Sequence, residues 1–126
     1  MKTFVFECST ATYLDCVQKS LFGSNLPWPL QIKIGDYCCL YHYEVDTLFG
    51  LWQASSKGGK NLVPKAWGGR FPFQAKVALV TPEIVELPKA QMIEAVLNPE
   101  TGKCDNVLEG ARAESLLRIL LNPDAT

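Results

Sequence analysis

The chain has 126 residues, 48% of them hydrophobic and 20% charged, with a formal net charge of −1. That length suits one ordinary domain burying roughly two-thirds of its unfolded surface without cross-links, and the composition excludes a long disordered or low-complexity protein. No apolar run approaches the roughly 18 residues of a membrane span, and the opening MKTFVFEC reaches Glu7 too soon for a signal-peptide core, so one soluble, cytoplasmic domain over residues 1–126 is expected.

Thr3 to Cys8 is aromatic and β-branched and reads as a largely buried first strand. Ser9, Thr10 and Thr12 are N-cap candidates, and Leu14, Val17 and Leu21 recur at helical spacing, which predicts an amphipathic helix running to Gly23. Ser24 to Pro29 carries Pro27 and Pro29 around Trp28 and is expected as a loop, because proline neither donates to a ladder nor continues a helix. After the turn signal Gly35-Asp36, Tyr37 to Tyr43 predicts a strand. Tyr37, Cys39, Tyr41 and Tyr43 share one face, and Cys38, Leu40 and His42 the other. Leu48 to Ala54 follows a short connection, so the two strands form a hairpin, and Gly50 marks a bend or a close backbone approach.

The glycine-rich stretch Ser55 to Arg70 is a long loop, of the kind that is functional or disordered in a small domain, and Phe71 to Thr81 resumes as a strand. Pro88 fits the first turn of a short helix with Met92, Ile93, Val96 and Leu97 on one face, ended by Asn98-Pro99. Ala113, Leu116, Leu117, Leu120 and Leu121 mark an amphipathic C-terminal helix stopped by Pro123. A single sheet of so few strands needs cover. The expected class is therefore α+β, a strongly curved or barrel-like sheet flanked by helices.

The signatures of common catalysts are missing: no G-x-S-x-G, H-E-x-x-H, phosphate-binding loop or dinucleotide fingerprint, and Lys57-Gly58-Gly59-Lys60 lacks the spacing of a phosphate cradle. Five cysteines are an odd number with no C-x-x-C pair, and His42 is the single histidine, so free thiols and no structural metal or cofactor are expected. Cys8 or Cys16 with His42 could supply a nucleophile and a base. Nothing in the spacing brings them together, and buried structural cysteine is commoner.

Charge is segregated. Residues 1–80 hold eight Lys/Arg against five Asp/Glu, and residues 81–126 four against eight. Within the first part, Ser55 to Lys76 carries Lys57, Lys60, Lys65, Arg70 and Lys76 with no acid, a local field that attracts anions if it is more than a solvated loop. Trp28 stands in the proline-braced segment, Trp67 among basic residues, and Phe71 directly after Arg70. Rings in such places either plug the ends of the barrel or stack on a ligand.

In order along the chain stand Leu21-Phe22-Gly23 with Leu26-Pro27, Cys39-Leu40-Tyr41, Leu48-Phe49-Gly50, the loop residues Ala54 to Leu62 and Ala66 to Gly69, and Phe71-Pro72-Phe73-Gln74. Across roughly Phe4 to Leu87 these resemble the landmarks FGLP, LFLY, LYG and FPAQ of the development and cell death (DCD) domain family. That family occurs in plant stress and cell-death proteins and in stand-alone archaeal forms, and the resemblance implies a stand-alone member of the archaeal type. It resembles more distantly the EVE, ASCH and YTH modules of the PUA-like group. Ser24 and Asn25 interrupt the first landmark, Trp67 stands where the family usually has Phe, and Glu86-Leu87-Pro88-Lys89 matches its PLPE only in part.

The resemblance implies a PUA-like fold and a binding module, not an enzyme. In the related YTH and EVE readers a base sits in an aromatic cage near the end of the first strand, the segment after the first helix and the loop after the hairpin. By position this implies Cys8, Ser9, Phe22, Ser24, Asn25, Trp28, Trp67 and Phe71 around a ligand, with Lys57, Lys60, Lys65 and Arg70 on phosphates. Two functions stay open: recognition of RNA or DNA, with a modified or flipped-out base in the pocket, and a protein-interaction or stress-signalling module.

Overall fold

A computed structural model describes residues 2–92 and 97–123. Among the described residues, eight strands and three α-helices follow one another: β1 Lys2–Cys8, α1 Thr10–Lys19, β2 Leu21–Ser24, β3 Tyr37–His42, β4 Thr47–Ala54, β5 Gly59–Lys60, β6 Phe73–Leu79, β7 Val85–Pro88, α2 Lys89–Met92, β8 Val107–Glu109 and α3 Gly110–Leu121. The strands form one mixed sheet in the order β2-β6-β4-β3-β1-β8, with β5 on β6 and β7 on β4. β1 and β3 run parallel and the other pairings are antiparallel. The sheet curls into a half-barrel flanked by α1 and α3, which is the expected class.

The curl has a local cause in β4. Its first half, Thr47 to Gly50, pairs with β7, and its second half, Trp52 to Ala54, pairs with β6. Between them the ladder to β3 slips, so that Cys38 faces Trp52 while Leu40 faces Phe49. Such irregularities bend a strand and sharpen its twist. Gly50 sits at the slip because α3 presses on it there: a Cβ on Gly50 would lie 2.9 Å from Leu120 Cδ1 and 3.4 Å from Cys39 Sγ.

Strand alternation sorts the side chains into two cores. Val5, Cys39, Tyr41, Leu48 and Leu51 pack under Leu116, Leu117 and Leu120 of α3. On the other face Phe4, Phe6, Cys38, Leu40, Phe49 and Trp52 fill the half-barrel with Phe22 and Cys16. The face assignment expected for Cys38 to Tyr41 therefore holds.

Several expectations are corrected. The first helix stops at Lys19 because Ser20 turns left-handed (φ +50) and donates its N–H to the carbonyls of Cys16 and Val17. Leu21 to Ser24 leaves the helix altogether and pairs with β6 as β2. Leu14, expected in the buried stripe, is 62% exposed, since the inward face of α1 is Tyr13, Cys16 and Val17. Leu121 is likewise exposed, one residue past the inward Leu120. Trp28 opens a 3-10 turn, Trp28–Gln31, that begins inside the Ser24 to Pro29 stretch expected as loop and runs past it. Pro88 ends β7 instead of starting a helix, on an edge where its missing N–H costs nothing, and α2 follows it. Leu97 bridges to Cys104. Ile93 and Val96 lie outside the described residues. Among the described residues no helix is long and apolar enough to cross a membrane.

Candidate nucleic-acid interface

β1 ends at Cys8, and Ser9 caps α1, donating its N–H to Thr12 Oγ1 at 3.0 Å. The left-handed Ser20 then returns the chain beside β6, so that Gly23 and Ser24 finish level with Cys8 and Ser9 across one end of the half-barrel. Leu26 N–H closes a turn on Ser24 Oγ at 3.1 Å and leads into the 3-10 turn of Trp28. These ends surround a cleft of about 360 Å3.

Trp28 is pinned against the core. Its indole stacks on Phe4 at 6.1 Å and 5° between planes and meets Phe6 at 4.6 Å, while its remaining surface lines the cleft. Phe71 forms a second apolar wall, with the Arg70 guanidinium 5.6 Å above its ring and Trp67 edge-on at 5.8 Å. Arg70 Nε also donates to the carbonyl of Trp67 at 3.2 Å, which holds the guanidinium over the ring. Tyr43 and Leu26, both exposed, complete the apolar lining.

Trp67 stands behind this wall. Its indole covers Gly23, where a Cβ would come within 2.7 Å of Trp67 Cζ3, so the landmark glycine is required by close approach. The Trp67 backbone is left-handed (φ +51), followed by Gly68 and Gly69 at +63 and +80. Among the described residues no acceptor meets its buried indole N–H. The long loop is fastened by Gln74, which is fully buried. Its amide donates to the carbonyls of Val63 (3.2 Å) and Phe71 (3.0 Å), and its Oε1 accepts from Val63 N–H at 2.8 Å. At the loop's start Gly58 lies so close to the 3-10 turn that a Cβ would overlap the Pro29 carbonyl.

The polar rim comes from β1 and from the segment entering β8. Asn106 extends the ladder past β8: Val5 N–H donates to its carbonyl, and its Nδ2 donates to the Val5 carbonyl, both at 2.8 Å. The Cys8 carbonyl accepts from Tyr43 N–H and so faces β3. By strand alternation the Glu7 N–H and carbonyl face the opposite edge. Beyond Asn106 no described strand covers that edge, and Glu7 and Asn106 both line the cleft.

The structure thus brings Cys8, Ser9, Ser24, Asn25, Trp28 and Phe71 to one cleft. Phe22 instead points into the core, edge-on to Phe6 and Trp52, and Trp67 supports the cleft from behind. Lys57, Lys60, Lys65 and Arg70 are all exposed, and none makes an ion pair among the described residues. Lys60 lies over Phe73, Nζ 6.0 Å from the ring centre. Sequence reasoning missed Tyr43, Asn106 and Glu7. Leu26 was visible as part of a landmark, but only the ladder connects Asn106, a hundred residues distant, to Val5.

The cysteines are poor nucleophiles. Burial, with Cys16 nearby, pushes the Cys8 thiol up to about 12, and burial with the Asp15 carboxylate does the same to Cys16. Cys38, Cys39 and Cys104 are also raised, by burial first. Although Cys8 and His42 are register partners, the thiol keeps its proton at neutral pH, and the His42 ring meets Thr10 Oγ1 at 3.4 Å and the rings of Tyr13 and Phe49. Among the described residues no three His, Cys, Asp or Glu side chains form a metal-binding group.

Residues 2–120 match the development and cell death domain family. The chain belongs to that family. It is 28% identical over 131 residues to the DCD domain-containing protein NRP-A of Glycine max, covering 97% of this chain and 36% of that protein. It is 27% identical over 107 residues to the B2 protein of Daucus carota, covering 79% of this chain and 52% of that protein. The DCD chain thus spans between about a third and a half of these relatives' length. Among solved structures its fold is similar to the YTH domain-containing protein mmi1 in complex with RNA (TM-score 0.73, 13% identity, 97% of this chain and 82% of that one). It is also similar to the YTH domain of Zygosaccharomyces rouxii MRB1 in complex with N6-methyladenosine RNA (TM-score 0.64, 13% identity, 95% and 86%).

Proposed function

We propose that this DCD domain is a non-enzymatic reader of single-stranded RNA that takes one unstacked base, modified or flipped out, into the cleft on Trp28. The observation that carries the reading is the cleft itself: an aromatic surface held rigid by Phe4 and Phe6, facing an Arg70-capped Phe71, beside a loop with no acidic residue. Single-stranded nucleic acid is commonly bound by such a pairing of stacking platforms with a basic track. The fold's likeness to YTH domains solved with RNA supports the choice of ligand class.

In this reading the base stacks on Trp28, with Phe71 and Tyr43 closing around it. The Glu7 N–H and carbonyl and the Asn106 side chain offer a donor and acceptors to the base edge. Lys57, Lys60, Lys65 and Arg70 hold phosphates. The protonated, buried thiols offer no reactive group, in keeping with binding without chemistry.

The test is fluorescence anisotropy of labelled single-stranded RNA and DNA across a salt series. Four phosphate contacts on a single strand give a slope of log affinity against log salt of roughly −3. RNA binding with that steep dependence supports the reading. A flat response removes the phosphate contacts, and the absence of any binding leaves a protein partner as the working alternative.

A further inference from the structure

Phe73 belongs to neither core, is only half-buried, and carries the exposed Lys60 over its ring at 6.0 Å. Lys60 is held there by backbone pairing, since β5 sets Lys60 against Phe73 and Gly59 against Gln74. On its other side Phe73 pairs with Ser24, whose side chain lines the cleft. Phe73 therefore stands one strand spacing, about 5 Å, from the cleft's rim.

Phe71 shows the same arrangement two residues earlier, with Arg70 over its ring. Pro72 keeps the residue before it extended, and its carbonyl accepts from Asn61 N–H at 2.7 Å, continuing the β5 pairing. Two extended residues span about 7 Å, the scale of one nucleotide step along a stretched single strand. Two cation-capped rings thus stand in series, the first at the cleft and the second just outside it. A buried ring needs no cation above it, and a lysine serving only solubility needs no strand to aim it.

We infer that Phe73 and Lys60 form a second nucleotide subsite, in which the Lys60 ammonium swings off the Phe73 ring to meet a phosphate and the nucleotide next to the one in the cleft stacks on the face it leaves. The inference rests on the RNA-reading assignment of the cleft and adds to it a second stacking surface and a path for the strand, from Trp28 across Ser24 toward β5.

The experiment compares two probes on the intact chain: a mixed-sequence single-stranded RNA of about nine nucleotides, followed by anisotropy, and the four nucleoside 5′-monophosphates, followed by chemical-shift changes at Trp28. Phe73→Ala and Phe73→Leu are both made, and each is confirmed folded by its melting curve and amide spectrum. The expected result is an RNA affinity lower by about tenfold in Phe73→Ala with the monophosphate shifts at Trp28 unchanged. RNA affinity at the wild-type level in folded variants overturns the subsite while leaving the cleft reading intact. An equal loss for RNA and monophosphates also overturns it, since Phe73 would then act through the cleft. If the unaltered protein binds neither probe, the failure belongs to the RNA reading itself.

Discussion

Gly23 and Trp67 are locked to each other: the indole occupies the space of the glycine's missing side chain, with Cζ3 only 2.7 Å from where a Cβ would stand. The Gly23 backbone is not left-handed, so the requirement is space and not torsion. Phe71 shares it, its Cβ lying 3.0 Å from the same point. Gly23 is thus where β2, the basic loop and a cleft wall meet.

Gly23→Ala should force Trp67 and Phe71 outward. Overpacking of this kind costs about 1–3 kcal/mol, read as a lower denaturant midpoint. Because Phe71 moves with the indole, RNA affinity should fall more than for Gly102→Ala, which strains a left-handed turn (φ +68) that does not line the cleft.

Gln74 gives the second prediction. Gln74→Leu keeps the volume but removes the partners of the Val63 N–H and the Phe71 carbonyl, while the Val63 carbonyl keeps only its bond from Ala66 N–H. Unpaired groups of this kind cost about 2–3 kcal/mol together. Amide exchange should accelerate through residues 61–71 while β1 and β3 stay protected, and a uniform acceleration would show that Gln74 fastens the whole fold and not the loop.

Much of this was legible beforehand because the physics is local. β1 follows from its run of aromatic and β-branched residues, and the start of α1, the β3–β4 hairpin and α3 follow from capping, alternation and helical spacing. β2 was not, because Leu14, Val17 and Leu21 mimic one helical stripe, and only pairing with Phe73 to Lys76 pulls Leu21 into a strand. β7 and β8 are three or four residues long, too short for any period to show. The same holds at the cleft. Trp28, Phe71 and Ser9 were visible as rings and caps beside turns, whereas Phe22 could not be told from a cleft aromatic until the curl of the sheet turned it inward. Asn106 carries no signal near itself, since its role is completed by the Val5 carbonyl.

The thiols give a pH prediction. Cys8 and Cys16 titrate near 9 when exposed and near 12 when folded, so above about pH 9 the unfolded chain gives up protons that the folded chain keeps. Stability should be undiminished by these groups below pH 9 and should fall as pH climbs from 9 toward 12, as followed by urea melts. At pH 8 the native protein should react slowly with a thiol reagent and the urea-unfolded chain quickly. Rapid native labelling of Cys8 would reopen a nucleophilic role.

The central claim, that a base is taken up on Trp28, is tested most directly by the Trp28 indole N–H resonance during titration with single-stranded RNA at low and moderate salt. The account predicts a saturable shift at Trp28, larger than at the core residue Trp52, that weakens as salt rises. RNA binding that leaves Trp28 unmoved would contradict it and place the nucleic acid elsewhere on the domain.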